Sequence, residues 1–320
     1  MPLHLRAVAS LRVVDLRAFA VLRQKTAAGP NLYTTNSVRV EYKIKGMAYS
    51  AYPVMSYAYP VMAKRFEDHE YLQTVPRSVA AMAKSYPAGY VGYLHTHTRA
   101  QFLYAASGSM RLTFALGCWI IPPKRAVWIP AGYPHQTGSI GPLEMRTLYI
   151  DGRSNPSSSP TVPRMLRVSS LLHELVLRAV EMAIEYDETG QDGRIISALL
   201  GEIDWTSIHP VSLPALRDKR LQIMERALTN NPSDSGTLEE WAALLELSPR
   251  TLTRLIRRET DLSFQAWRDQ IRTFAAIPML AEGKPLVEIA DAVGYETAWS
   301  FTAMFKRVTG KVPSRYTATE

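Results

Sequence analysis

The sequence predicts a multidomain protein of mixed α and β class: a small β-barrel, a helical connection and an all-α C-terminal domain. Three observations predict it. Short β-rich runs broken by glycine and proline fill residues 75–150, an amphipathic helical period begins near residue 165, and one helical pattern occurs twice in the C-terminal part. The length of 320 residues suits about two domains of ordinary size.

Residues 1–73 read as a poorly ordered extension. The opening MPLHLRAVASLRVVDLRAFAVLRQ is rich in arginine and poor in acids. The Tyr-rich stretch after it keeps no sustained period and shows no clean strand–turn–strand pattern. Such a composition suits translation from upstream of a start at Met55 or Met62.

Residues 74–152 read as the barrel. The runs AAMAKSY, YVGYLHT, QFLYAAS, SMRLTFA, CWIIP, AVWIPAG and EMRTLYID are separated by turn signals every ~8–12 residues. DGRSNPSSSPTVPR, dominated by serine and proline, then reads as an exposed connection. Residues 153–213 form a helical linker region. Leu171, Leu172, Leu175, Val176, Ala179, Val180 and Ala183 recur at spacings of three and four, a helix ending near Tyr186, and a second helix covers 193–202. Residues 214–320 are almost wholly helical by the same test.

Composition excludes several classes. No apolar run approaches the ~18–20 residues of a membrane span. The single cysteine, Cys118, excludes an intramolecular disulfide framework and a Cys-rich zinc ribbon, and suits a reducing cytoplasm. The net charge of +8 is mostly N-terminal: residues 1–80 carry 11 basic and 5 acidic residues, whereas 214–320 carry 15 and 14. Global charge therefore says little about nucleic acid, and local placement has to decide.

The repeat supplies that placement. LEEWAALLELSPRTLTRLIRRETDLSF starts at Leu238, and LVEIADAVGYETAWSFTAMFKRVTGKVP starts at Leu286. Ala242 matches Ala290, Leu252 matches Phe301, Ile256 matches Phe305, and Arg257-Arg258 match Lys306-Arg307. Each copy reads helix, short turn, helix. Ser248 and Pro249 make an N-cap and first turn, and Gly294 ends a helix. The second helix of copy one turns Leu252, Leu255 and Ile256 inward and sets Arg250, Thr253, Arg254, Arg257 and Arg258 outward. Four arginines with no acid before Glu259 have the chemistry to fork onto guanine edges or phosphate. A helix-turn-helix places such a helix in the DNA major groove.

Residues 214–320 resemble the AraC/XylS transcription regulators, most specifically in LSPRTLTRLIRRET, FQAWRDQIR, MLAEGKPLVEIADAVGY and FKRVTGKVPSRY. The resemblance implies two helix-turn-helix subdomains joined by a long helix and bound to double-stranded DNA. Arg250 and Arg254 are then the expected base readers, and Arg257, Arg258, Lys306, Arg307 and Arg315 the expected phosphate contacts. Three departures stand out. Asp261 occupies a position where glycine is usual, Pro278 interrupts the linking helix and predicts a kink, and Ala303 replaces the matching Arg254. Ala298, Trp299 and Ser300 fill the outward positions of copy two. Trp299 is either a DNA contact or a half-buried contact between subdomains.

His95 and His97, two apart in YLHTHTRAQ, would share one face of a strand. With Gln101, Gly108 and the later Pro130, Gly132 and His135, they resemble the two motifs of a cupin barrel. Gln101 stands where that family usually has glutamate, and Ser139 where asparagine is common. The resemblance implies a site of His95, His97, Gln101 and His135 for one divalent transition metal, Ni, Zn, Cu or Fe. A metal-free, hydrogen-bonded pocket for an organic effector is the other reading. Trp119, Trp128, Tyr93 and Phe102 are candidates for its apolar wall, although barrel core is the favoured reading of any single one.

The combined expectation is a sequence-specific transcription regulator with a cupin-like sensor of a small molecule or metal ion. It is expected to have no catalytic role and to act as a homodimer. A cupin enzyme with a DNA-like appendage is the alternative, supported only by the HxH motif, and a barrel that merely dimerises is a third.

Overall fold

The structure is a computed structural model that describes residues 70–154 and 159–316, together with the strand residues 19–20, 40–44 and 47–51. The chain forms two units, Met1–Ala58 and Tyr59–Glu320. In the first, β1 (Phe19–Ala20), β2 (Val40–Ile44) and β3 (Met47–Ala51) pair antiparallel in that order, although no such pattern was legible in the sequence. The other features expected of residues 1–69, including the starts at Met55 and Met62, lie outside the described residues. Residues 70–74 form a helical turn, and Leu72 packs with Val75, Ala80 and Tyr149.

The second unit opens with two antiparallel sheets. Its strands are β4 (Val79–Tyr86), β5 (Ala100–Ser107), β6 (Met110–Phe114), β7 (Gly117–Ile121), β8 (Arg125–Ile129), β9 (Gln136–Ser139), β10 (Leu143–Ile150), β11 (Arg164–Arg167), β12 (Ser207–Ile208) and β13 (Ser212–Pro214). One sheet has the order β12-β11-β8-β5-β10-β4, and the other β13-β7-β6-β9. Leu103, Leu112, Ile121, Val127 and Met145, drawn from both sheets, form a shared core.

The six-stranded sheet is buried on both faces. Phe102, Tyr104, Trp128 and Leu148 pack beneath helices α1 (Ser170–Ala179) and α2 (Gln191–Gly201), against Leu172, Val176 and Leu199. Burial on two faces explains the near-continuous apolar reading of β5. Phe102 and Trp128 therefore do not line a pocket. They belong to the sheet–helix core, where each aromatic contributes roughly 2–3 kcal/mol of burial.

Three expectations need correction. YVGYLHT is a loop, with isolated bridges from Val91 to Gly138 and from His95 to His135 but no continuous strand, because Pro87, Gly89 and Gly92 break it. The linker region 153–213 is not wholly helical: β11 pairs with β8, β12 with β11, and β13 with β7, so its flanks complete both sheets. The first linker helix stops at Ala179 rather than near Tyr186. Tyr186 is instead buried, its hydroxyl 2.8 Å from Ser78 Oγ.

The C-terminal part comprises α3 (Lys219–Asn230), α4 (Leu238–Leu244), α5 (Pro249–Thr260), α6 (Phe264–Ala281), α7 (Leu286–Ala292), α8 (Ala298–Thr309) and α9 (Pro313–Tyr316). The two copies superpose in their local rules. Ala242 and Ala290 are fully buried, and Leu247 N–H donates to Ala242 O as Tyr295 N–H does to Ala290 O, both at 2.8 Å. Glu246 and Gly294 take left-handed backbone in the turns, with φ of 54° and 76°. Asp261 and Gly310 do so after the second helices, with φ of 60° and 76°. The helix starts are capped by Thr237 (with Glu240, a capping box), Ser248, Ser263 and Thr297. Pro278 lies inside α6, and the helix runs on through it to Ala281.

Candidate DNA-reading face and histidine cluster

The reading face is built by amphipathicity. On α5, Leu252, Leu255 and Ile256 are buried, while Arg250, Thr253, Arg254, Arg257 and Arg258 are exposed. Arg250 and Arg254 make no side-chain hydrogen bond or ion pair among the described residues. Arg257 lies 3.9 Å from Asp261, and Arg258 is 3.1 Å from Glu259. The Glu259 carboxylate also accepts from the backbone N–H groups of Arg217 and Asp218, which ties the end of α5 to the start of α3. Thr253, exposed, donates its hydroxyl to Pro249 O at 2.9 Å.

On α8, Phe301, Met304 and Phe305 are buried, while Trp299, Ala303, Lys306 and Arg307 are exposed. Trp299 is 79 % exposed, so it makes no half-buried contact between subdomains. Ser300 is occupied in the cap, its N–H donating to Thr297 Oγ1 and its hydroxyl to Thr297 O. Arg307, expected as a phosphate contact, stays mostly exposed and also makes an ion pair. Its guanidinium closes on Asp269 Oδ2 at 2.7 Å. The Asp269 carboxylate, 3 % exposed, also accepts from Tyr295 Oη and Gln265 Nε2. This hub joins α6 to the turn and second helix of copy two, and no spacing rule in the sequence marks it.

The histidine cluster comes together at one end of the two-sheet core. His95 and His97 sit in the 87–99 loop and His135 immediately before β9. Their ligand atoms all lie within 4.8 Å of one another. Backbone pairing aligns them: His95 and His135 exchange N–H···O bonds at 3.0 Å, and Gly132 N–H donates to His97 O at 2.7 Å. Ser139 fastens the same loop, its hydroxyl donating to Pro87 O and accepting from Tyr90 N–H. The motif glycine Gly108 has φ of 75°, and a Cβ there would lie 2.0 Å from Pro142 O.

The tautomers follow from the partners. Nδ1 of His95 lies 2.9 Å from Tyr93 O, and Nδ1 of His135 lies 2.9 Å from Tyr133 O. A carbonyl only accepts, so each Nδ1 carries the proton and each Nε2 the lone pair. Burial pushes the His135 pKa down to about 4 and also lowers that of His95, against the opposing pull of those carbonyls. Both rings are therefore neutral at pH 7, the form that ligates metal. Gln101 Nε2 donates to Thr147 Oγ1 at 2.8 Å. Gln101 Oε1 and His135 Nε2 are buried without a hydrogen-bond partner from the protein. Gln101 stands opposite Tyr149 across β5 and β10, and the Tyr149 ring meets His97 edge-on at 4.9 Å.

Of the expected pocket wall, Tyr93 packs beside His95 at 4.8 Å, and Trp119 packs on Phe114. Thr147 and Tyr149 support the cluster without having been marked by the sequence, whereas Ser139, noted there as a departure from asparagine, fastens the loop.

The family described as AraC-like ligand binding domain matches residues 78–200, and that described as Helix-turn-helix domain matches residues 241–319. The HTH-type transcriptional regulator NimR of Escherichia coli is 30% identical over 225 residues, covering 70% of this chain and 82% of its own. The HTH-type transcriptional regulator RipA of Corynebacterium glutamicum is 37% identical over 105 residues, covering 33% of this chain and 31% of its own. Among solved structures, ToxT from Vibrio cholerae is 13% identical with a TM-score of 0.32, covering 75% of this chain and 98% of its own.

Proposed function

The chain belongs to the AraC family of DNA-binding transcription regulators, and from that premise we propose that its β domain senses an effector at the histidine cluster and so governs promoter binding. The observation that carries this reading is the convergence of three ligand nitrogens within 4.8 Å, two of them aimed by backbone carbonyls. A divalent transition ion fits this donor set. His95, His97 and His135 would hold it, with the Gln101 amide oxygen as a neutral fourth donor. The ion would supply a fixed positive charge. The protein's part is to hold the imidazoles neutral and aligned.

One observation favours an organic effector as a second reading. Tyr93 adjoins His95 at 4.8 Å and the Tyr149 ring meets His97 at 4.9 Å, so aromatic surface borders the cluster. Either effector would act by binding one arrangement of the protein more tightly than the other.

Arg250 and Arg254 on α5 are the proposed base readers, with Thr253 on the same helix and Trp299 and Ser300 on α8 as further proposed DNA contacts. Arg257, Arg258, Lys306, Arg307 and Arg315 are proposed phosphate contacts. A homodimer would offer four reading helices to direct repeats on the DNA.

Fluorescence anisotropy on the intergenic DNA beside the chain's own gene tests the reading, run at several salt concentrations with Ni, Zn or chelator. Saturable, sequence-selective binding that shifts with metal is the expected result. Binding that only tracks salt would overturn it.

A further inference from the structure

The four-stranded sheet has two occupied faces. Toward the β core it presents Leu112 and Ile121. Toward the helices it presents Ile120, which is fully buried in the same cluster as Leu221, Trp267, Phe274 and Ile277, with Cys118 and Ile140 packed against that cluster. Arg111 on β6 lies over the Phe274 ring at 5.6 Å, and Gln270 Nε2 on α6 donates to Ser212 O on β13. Gly141 adjoins the end of α6, where an added Cβ would lie 3.4 Å from Glu282 Oε1.

β9 is the edge strand of this sheet. It begins directly after His135 and ends at Ser139, followed by Ile140. Two histidine-loop contacts also land on it: Gly92 N–H donates to Thr137 O, and Ser139 N–H to Tyr90 O, both at 2.8 Å. Ligand geometry at His135 and apolar packing at Ile140 are thus separated by the four residues of β9, about 16 Å of extended chain from one to the other.

We infer that β9 couples the histidine cluster to the DNA-binding helices, with Ile140 as the residue through which the state of His135 reaches α3 and α6. The inference rests on the reading that the cluster holds the effector. β9 tilts together with its neighbours rather than alone, because its register is fixed by β6 and by the 87–99 loop. Closing three imidazoles on one ion would draw His135 toward His95 and His97. The displaced strand would then shift the Ile140 side chain within the helical cluster. Helix cores accommodate such a shift by moving between discrete packings rather than by stretching.

The test is hydrogen exchange of the full chain with and without Zn2+, read on peptides covering 134–141, 219–230 and 264–281. Zn2+ should slow exchange in 134–141 and change it about fivefold or more in both helices, at the low end of usual coupling factors. In Ile140→Ala, the response at 134–141 should persist while the helix response disappears. Ile140→Val, which keeps the β-branched contact, should retain it, and guards against simple unfolding. An unchanged helix response in Ile140→Ala, or no helix response in the wild type despite protection at 134–141, would overturn the inference. No protection at 134–141 in the wild type would instead remove the metal reading, and the inference with it.

Discussion

Arg307 closes on Asp269 at 2.7 Å, with the arginine mostly exposed and the aspartate almost wholly buried. The pairing assigns a structural task to a residue that its place in the repeat marks as a phosphate contact. Arg307→Ala leaves a buried carboxylate with only Tyr295 and Gln265 to satisfy it. It should lower unfolding stability by about 1–3 kcal/mol in urea titration. Lys306→Ala should leave stability unchanged and reduce the salt slope of DNA binding by about one. A reduced salt slope without loss of stability in Arg307→Ala would make Arg307 a phosphate contact with no structural task.

Arg254 stands exposed in the middle of the α5 reading face, with no ion pair among the described residues to hold it. Arg254→Ala should cost ~1–3 kcal/mol of specific binding and relax selectivity at one base position. Anisotropy on a set of single-base operator variants would show it. An unchanged operator affinity would remove Arg254 from the base readers.

Glu246 and Asp261 hold left-handed backbone, where copy two of the repeat uses Gly294 and Gly310. A side chain there costs roughly 1 kcal/mol. Glu246→Gly and Asp261→Gly should each raise stability by ~0.5–1 kcal/mol, with Asp261→Gly giving up only an exposed, 3.9 Å pairing with Arg257. Thermal unfolding of the two single variants checks this. A loss at either position would mean the side chain contributes more than its backbone strain costs.

Pro278 removes one N–H from the α6 ladder, yet the helix continues and the ring is buried. Pro278→Ala restores the bond and loses a little packing. Stability should rise by about 1–2 kcal/mol. A fall in the urea midpoint would show that the ring's packing outweighs the lost bond.

Glu225 on α3 faces the β domain, and burial lifts its pKa to about 7, against the pull of Arg111 on β6 and Arg226 on its own helix. Cys118 on β7 feels the same carboxylate, although burial is the main reason its thiol is pushed up to about 11. Because the folded value lies above the unfolded one, the native state holds the proton longer. Stability should therefore fall as pH rises from about 4.5 to 7, and flatten above that. Glu225→Gln should abolish that slope and stabilise the protein at pH 8 by roughly 1–3 kcal/mol. Denaturation curves at pH 5, 6, 7 and 8 would show it.

The parts of this protein that were legible in its sequence are those with a short repeat length. The 3.6-residue period placed the buried face of α5, cap chemistry placed Ser248 and Pro249, and the repeat itself placed Gly294 and Gly310. The HxH and PxGxxH spacings brought His95, His97 and His135 to one place. What stayed hidden depends on long-range contact. Nothing local marks Asp269 as the partner of Arg307, 38 residues away. Glu246 carries no sign of the left-handed backbone it adopts, because only the comparison with Gly294 exposes it. The strands β12 and β13 are two and three residues long and exist because β11 and β7 offer them an edge. No propensity scale recovers an element of that length.

β13 has one more consequence. The last strand of the four-stranded sheet comes from residues 212–214, after both linker helices in the chain. During synthesis, β7 must wait for about ninety further residues to leave the ribosome before that edge is paired. For the same reason, a β-domain fragment cut at residue 152 would expose two raw sheet edges and would be prone to aggregate. A fragment meant to be handled alone has to run on through Leu216.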